Sequence, residues 1–117
     1  MIPSPNYNDW EARFQSEVRQ AEMARAIGNE GKARVCARRA AGIAIGEYFR
    51  HRGISPPVSS AYNILKYFQS NPDVPDEARS IAGHFLEQVD TNFTLPVDVD
   101  LIQDSRWLVQ NLVLQNK

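Results

Sequence analysis

Residues 30–52 read EGKARVCARRAAGIAIGEYFRHR, and the pattern in this segment sets the architecture that we predict. Asn29 precedes it in the position of a helix N-cap, and Gly53 follows it, as glycine commonly follows the last turn of a helix. On a helical wheel the segment has two apolar faces that lie roughly opposite each other. Because a helix that is apolar on two sides is buried on two sides, we predict a central helix whose second face is a candidate contact with another subunit. Small residues such as Gly46 predict the close approach of a neighbouring backbone. The first face holds Ala33, Ala37, Ala40, Ala44 and Tyr48, and the second holds Val35, Gly42, Gly46 and Phe49.

Proline and glycine residues divide the rest of the chain into four further helices, and no stretch alternates as a strand would. The prediction is an all-α, five-helix up-and-down bundle with two long antiparallel helices followed by three shorter ones. Helix one spans residues 9–27 after the capping residue Asn8, helix three lies between Pro57 and Ser70, helix four starts near Asp76, and helix five follows Pro96 with Asp100 as its cap. The apolar stripes expected in the core are Trp10, Phe14, Val18 and Ala21; Ala61, Ile64, Leu65 and Phe68; Ala78, Ile81, Ala82, Phe85 and Val89; and Leu101, Leu108, Val109 and Leu112.

Composition and charge exclude several classes of protein. The chain has 117 residues, 43% of them hydrophobic, which is enough for one domain (residues 1–117) with its own core. A formal net charge of −1 predicts neither a nucleic-acid binder nor an acidic tail. The single cysteine, Cys36, excludes an internal disulfide framework and a multi-cysteine zinc site. Residues 1–5 lack the basic and apolar regions of a signal peptide, and no apolar run is long enough to span a membrane. We therefore expect a cytoplasmic protein without a metal or cofactor.

The net charge conceals an asymmetry between the two halves of the chain. Residues 1–58 carry a net charge of +3, and residues 59–117 carry −4. The basic residues concentrate in the segment 32–52, where Glu47 is the single acidic residue. Two interpretations stay open: a solvated helix face, or a surface that binds an anion or an acidic partner. The candidate binding residues are Arg34, Arg38, Arg39 and Arg50.

The predicted fourth helix carries the one pair of residues that suggests catalysis. Arg79 and His84 stand five positions apart, about 140° around an ideal helix, and neither belongs to its core face. One copy does not bring them together, but two copies packed around a dyad could place both pairs in one cleft. Such a site could cleave RNA without a metal: the 2′-hydroxyl attacks the phosphate, histidine moves a proton, and arginine stabilises the developing charge. The alternative is an exposed arginine and an exposed histidine on a surface helix.

Three segments resemble the HEPN domains, a family of helical nucleotide-binding domains in prokaryotes and eukaryotes. Residues 31–45 are similar to the alanine-rich second helix of the family, and residues 60–65 to its third helix. Residues 77–86, followed by 92–96, look like the fourth helix and the loop after it. The resemblance covers nearly the whole chain and implies a five-helix bundle that forms a homodimer. It also implies a minimal nucleotidyltransferase as a partner, in a toxin–antitoxin or related operon.

The same resemblance bears on activity. A subset of HEPN domains are metal-independent ribonucleases with an arginine, four to six residues and a histidine, which fall on Arg79 and His84 here. Other members lack a working motif and bind nucleotides or partner proteins. Three hypotheses follow: a non-catalytic homodimer that binds a nucleotide, an RNA or a partner protein; a metal-independent endoribonuclease; and a purely structural helical module.

Overall fold

The computed structural model describes residues 9–86 and 100–114. Within these ranges the chain forms five α-helices and no strand, which confirms the predicted all-α bundle. Asn8, Val89 and Pro96, which entered the predicted helix pattern, lie outside the described residues. The helices are α1 (Asp9–Ala26), α2 (Glu30–His51), α3 (Ala61–Gln69), α4 (Asp76–Leu86) and α5 (Leu101–Leu108), and a π-helical segment, Val109–Leu114, continues α5.

The helix ends follow from local sequence. The side chain of Asn29 accepts a hydrogen bond from the backbone N–H of Lys32, as predicted for the cap of α2. Gly28 and Gly53 adopt positive φ angles of 81° and 70°. Only glycine takes this conformation without a steric cost, so each can end the helix before it. Asp100 caps α5 as predicted and accepts from the backbone N–H groups of two residues in its first turn.

Helix α2 is the centre of the bundle and packs against α1, α3, α4 and α5. Its alanine face is fully buried, which confirms the first predicted stripe. The small side chains on this face allow α1 and α5 to pack closely against α2. The core residues contributed by the other elements include Phe14, Val18, Leu65, Phe68, Ala78, Ala82, Phe85, Leu101, Leu108, Val109 and Leu112.

The second predicted apolar face of α2 is only partly buried: α3 of the same chain covers Gly42 and Phe49, whereas Val35 is 42% exposed, so its predicted burial is wrong. A Cβ atom added at Gly42 would lie 2.8 Å from the Cβ of Ala61, so the two helices touch at this glycine. The ring of Phe49 packs edge-to-face against Tyr67 of α3, with centroids 5.5 Å apart. The expected close approach at Gly46 is wrong, because a Cβ there would meet no atom within 4 Å. The face therefore does not require another subunit to bury Gly42 and Phe49.

None of the helices in the described ranges combines the length and the apolar character that a membrane crossing requires.

Candidate functional site

A cleft of about 460 Å³ opens between α1, α2 and the start of α3, and we call it the interhelical cleft. Its volume lies within the range of about 300–1,000 Å³ that is typical of small-molecule sites. Helix α1 contributes Trp10, Arg13 and Glu17; α2 contributes Arg39, Gly42, Ile43, Gly46, Glu47 and Arg50; and Ser59, Ala61 and Ile64 complete the wall.

The cleft exists because of two glycines on one face of α2. Gly42 lets Ala61 of α3 approach closely, which brings the third helix against the second. Gly46, one turn further along, has no side chain to fill the space between α1 and α3. The polar residues Arg39 and Arg50 lie on the same face at helical spacing, so their side chains flank this glycine floor.

Arg50 and Glu47 form an ion-pair network at one end of the cleft. The side chain of Glu47 is only 5% exposed, and both of its oxygens accept hydrogen bonds from Nε of Arg50 at 3.0 Å. Nε2 of His51 lies 2.9 Å from Oε2 of the same carboxylate. The carboxylate raises the pKa of Arg50 above its ordinary value. The guanidinium of Arg50 is therefore already paired with a buried carboxylate of the protein.

Arg13 and Arg39 differ from Arg50 in their pairing. Both are exposed in the cleft wall, and neither forms an ion pair with any residue in ranges 9–86 and 100–114. Guanidinium groups present five donors in a planar fork that matches phosphate and carboxylate groups. The two arginines are thus the groups in the cleft that are available to an anionic ligand.

Glu17 of α1 is the second glutamate in the cleft lining. Its Oε1 atom is buried, yet it accepts no hydrogen bond from any described residue. Beside it, burial raises the pKa of the Cys36 thiol; the charge of Glu17 and a hydrogen bond between the thiol and the Glu17 side chain raise that pKa further, while Arg39 and Lys32 lower it. Glu17 and Arg39 thus both lie near the buried thiol. Cys36 itself is 1% exposed and belongs to the core.

Two of the four arginines predicted as a binding surface line the cleft, and two do not. Arg39 and Arg50 line the interhelical cleft. Outside the cleft lining, Nε of Arg38 donates to the carbonyl oxygen of Phe85 at 3.1 Å, and its guanidinium lies 5.7 Å from the ring centroid of Tyr62. Arg34 is half-buried and precedes Arg38 by one turn.

The structure gives the predicted catalytic residues separate partners. Arg79 pairs with Asp76 in the first turn of its own helix. Nδ1 of His84 lies 2.8 Å from Oδ2 of Asp104 on α5, and the two side chains are 27% and 15% exposed. His84 was expected to point away from the packing surface of its helix; instead it is half-buried and connects α4 to α5.

Sequence reasoning did not identify the α1 half of the cleft. Trp10 was expected only as a core residue, and Arg13 and Glu17 were not singled out. The available signal was their spacing, because Arg13 and Glu17 follow Trp10 at three and seven positions and so share one face of α1 with it. No group of three or more histidine, cysteine, aspartate or glutamate side chains could hold a metal ion within the described part of the chain.

Comparison with known proteins identifies no relative of this chain. No protein-family model matches the chain, and the comparisons with curated proteins and with solved structures find no match either. The HEPN resemblance therefore stays a hypothesis, and the function has to be argued from the site.

Proposed function

We propose that the chain is a non-catalytic helical module that binds a nucleotide in the interhelical cleft. The observation that carries the proposal is the pair Arg13 and Arg39, which lie exposed in the wall of a cleft of ligand size without an ion-pair partner among the described residues. The cleft lining has three arginines and two glutamates, and Arg50 already pairs with Glu47. The remaining basic groups favour an anion such as phosphate.

The apolar and aromatic part of the cleft supports a nucleotide over a small inorganic anion. Trp10 and Ile43 offer surface for a planar base, and Gly46 leaves the floor open to it. Aromatic side chains stack on bases, and this contact contributes about 1–3 kcal/mol per base. A phosphate on the arginines and a base in the apolar part would use both halves of the cleft.

The proposal is independent of the assembly and the partner implied by the HEPN resemblance. One chain supplies every residue of the cleft, so neither a homodimer nor a nucleotidyltransferase partner is required for binding. The homodimer is a separate prediction. Size-exclusion chromatography with light scattering tests it, and a monomer of 13.2 kDa would contradict it.

The test is isothermal titration of the purified chain with nucleoside monophosphates and with inorganic phosphate. We expect Arg39→Gln to weaken nucleotide binding about 10- to 100-fold, because hydrogen bonds to charged groups contribute about 1.5–3 kcal/mol. Gly46→Leu should abolish binding, because its side chain would occupy the cleft. Arg19→Ala is the matched control, since Arg19 is an exposed arginine of α1 outside the cleft.

Two results would contradict the proposal. If Arg39→Gln and Gly46→Leu both bind as the wild type does, the ligand binds elsewhere. If neither nucleotides nor phosphate bind the folded chain, the purely structural module becomes the better hypothesis.

We propose metal-independent RNA cleavage as the second candidate function. The hydrogen bond between His84 and Asp104 supports it, because a carboxylate that orients a histidine is a common arrangement for proton transfer. Arg79 is paired with Asp76, so this candidate needs a second copy or another residue to contact the phosphate. RNA cleavage in EDTA by the wild type but not by His84→Ala or Asp104→Asn is the expected result. Equal background in all three proteins would contradict it.

A further inference from the structure

Two basic side chains converge on one exposed aromatic ring at the start of α3, outside the cleft lining. The ring belongs to Tyr62, which is 42% exposed. The guanidinium carbon of Arg38 lies 5.7 Å from the ring centroid, and Nζ of Lys66 lies 5.6 Å from it. Both distances are within the range of about 6 Å for cation–π contacts. We call Arg38, Tyr62 and Lys66 the basic–aromatic cluster, and the proposed function does not use it.

The contacts within the cluster leave its positive charges in place. Neither Arg38 nor Lys66 forms an ion pair with any residue in ranges 9–86 and 100–114. An aromatic ring attracts a cation through its quadrupole but carries no net charge that could neutralise it. Nε of Arg38 donates to the carbonyl oxygen of Phe85, which fixes the guanidinium and leaves its other N–H donors without an acceptor among the described residues. An anion between the two cations would therefore meet donors that are already held in position.

The cluster adjoins the interhelical cleft through two pairs of consecutive residues. Arg38 precedes Arg39, and Tyr62 follows Ala61; Arg39 and Ala61 both line the cleft. Gly42 touches Ala61, the first residue of α3, so Arg38, one turn earlier on α2, lies beside the start of α3. Consecutive side chains on a helix diverge by about 100°, so Arg39 faces the cleft and Arg38 lies at its rim. An anionic chain that extends beyond Arg39 meets this cluster next.

We propose that the basic–aromatic cluster is a subsite for the distal phosphates of a nucleoside polyphosphate, an inference that rests on the proposed function. The cleft arginines hold the phosphate nearest the sugar, and Arg38 and Lys66 hold the phosphates beyond it. A polyphosphate tail suits the site because its phosphates follow one another without an intervening sugar, as Arg38 and Arg39 follow one another on α2. Each added phosphate also brings negative charge to cations that no described carboxylate pairs.

The experiment is isothermal titration of the full chain with AMP, ADP, ATP, the dinucleotide pApA and inorganic phosphate, in EDTA so that no metal ion covers the phosphates. We expect ATP to bind about tenfold or more tightly than AMP, with ADP between them. Lys66→Gln should weaken ATP binding about 3- to 10-fold and leave AMP binding unchanged, because AMP does not reach the cluster. Arg39→Gln should weaken the binding of both nucleotides.

The control for charge is Arg19→Gln, at an exposed position of α1 outside the cleft. It removes the same positive charge as Lys66→Gln, so the comparison separates a contact with the tail from the general attraction of the protein for an anion. Lys66 is exposed and has no described partner except Tyr62, so its replacement should not affect folding. We expect Arg19→Gln to retain the preference for ATP over AMP.

The outcomes distinguish this inference from the proposed function. If AMP, ADP and ATP bind the wild type equally well, the subsite is refuted while nucleotide binding in the cleft stands. If Lys66→Gln loses no more affinity for ATP than Arg19→Gln does, the tail lies elsewhere and the inference is overturned. If pApA binds more tightly than ATP, the second phosphate belongs to a strand, which overturns the assignment to a polyphosphate. If neither nucleotides nor phosphate bind, the proposed function and this inference fail together.

Discussion

Gly42 and Gly46 lie one turn apart on α2, and a methyl group added at each should change the free energy of unfolding in opposite directions. At Gly42 the new Cβ would stand 2.8 Å from the Cβ of Ala61 and 3.0 Å from its Cα. At Gly46 the new Cβ would meet nothing within 4 Å. The two substitutions are chemically identical and differ only in what they meet.

The magnitude follows from two opposing contributions. Replacing glycine by alanine inside a helix stabilises it by about 0.5–1 kcal/mol, and this gain applies at both positions. Inserting a methyl group into a packed contact costs about 1–3 kcal/mol, and this cost applies only at Gly42. We therefore expect Gly46→Ala to stabilise the protein by about 0.5–1 kcal/mol. Gly42→Ala should destabilise it by about 0.5–2 kcal/mol once the helix gain is subtracted.

The assay is urea denaturation of both variants, followed by circular dichroism at 222 nm. The difference between them isolates the contact with α3 and should be about 1–3 kcal/mol. Adding Ala61→Gly to Gly42→Ala should recover part of the loss, because it removes the nearer of the two clashing atoms. If Gly42→Ala is as stable as Gly46→Ala, α3 does not touch α2 at this glycine, and the construction of the interhelical cleft described above is wrong.

Three further predictions concern charged and buried groups. Arg50→Ala should lower the urea midpoint of unfolding, because it removes a partner from the buried carboxylate of Glu47, and Glu47→Gln in the same chain should recover part of the loss. Burial raises the pKa of Asp100, but hydrogen bonds from Arg25 and two backbone N–H groups outweigh it and hold that pKa below its ordinary value. A lowered carboxylate pKa stabilises the fold above about pH 3.9, so the stability difference between wild type and Asp100→Asn should shrink as pH falls below that value. A thiol reagent should modify Cys36 far more slowly in native protein than in urea, because the thiol is 1% exposed and its pKa is raised; rapid native labelling would contradict its burial.

The cleft lining and the histidine pair share no residue and lead to different experiments. Ligand titration tests the cleft with Arg39, and RNA cleavage tests His84 and Asp104. Arg38 donates to the carbonyl oxygen of Phe85, the residue after His84, and does not line the cleft. A variant of Arg39 should therefore leave any RNA cleavage by His84 unchanged.

Local patterns were enough to predict the helices and their ends. The capping side chain of Asn29 and the positive φ angles of Gly28 and Gly53 depend on neighbours within four residues. The core stripes follow the helical period for the same reason, since residues three and four apart share one face. The sequence therefore predicted the bundle, its central helix and most of its buried residues.

Packing between distant segments determined the site. The sequence contains Gly42 and Gly46 as equivalent small residues, yet one touches α3 and the other faces open space. The difference depends on where α3 crosses α2, which is set by the fit of many side chains and not by the residues nearby. The same is true of Glu17 beside Cys36 and of His84 beside Asp104, because each pair joins two different helices. Helical periodicity indicates which face a side chain occupies, and only the rotation and offset of the packed helices determine what that face meets.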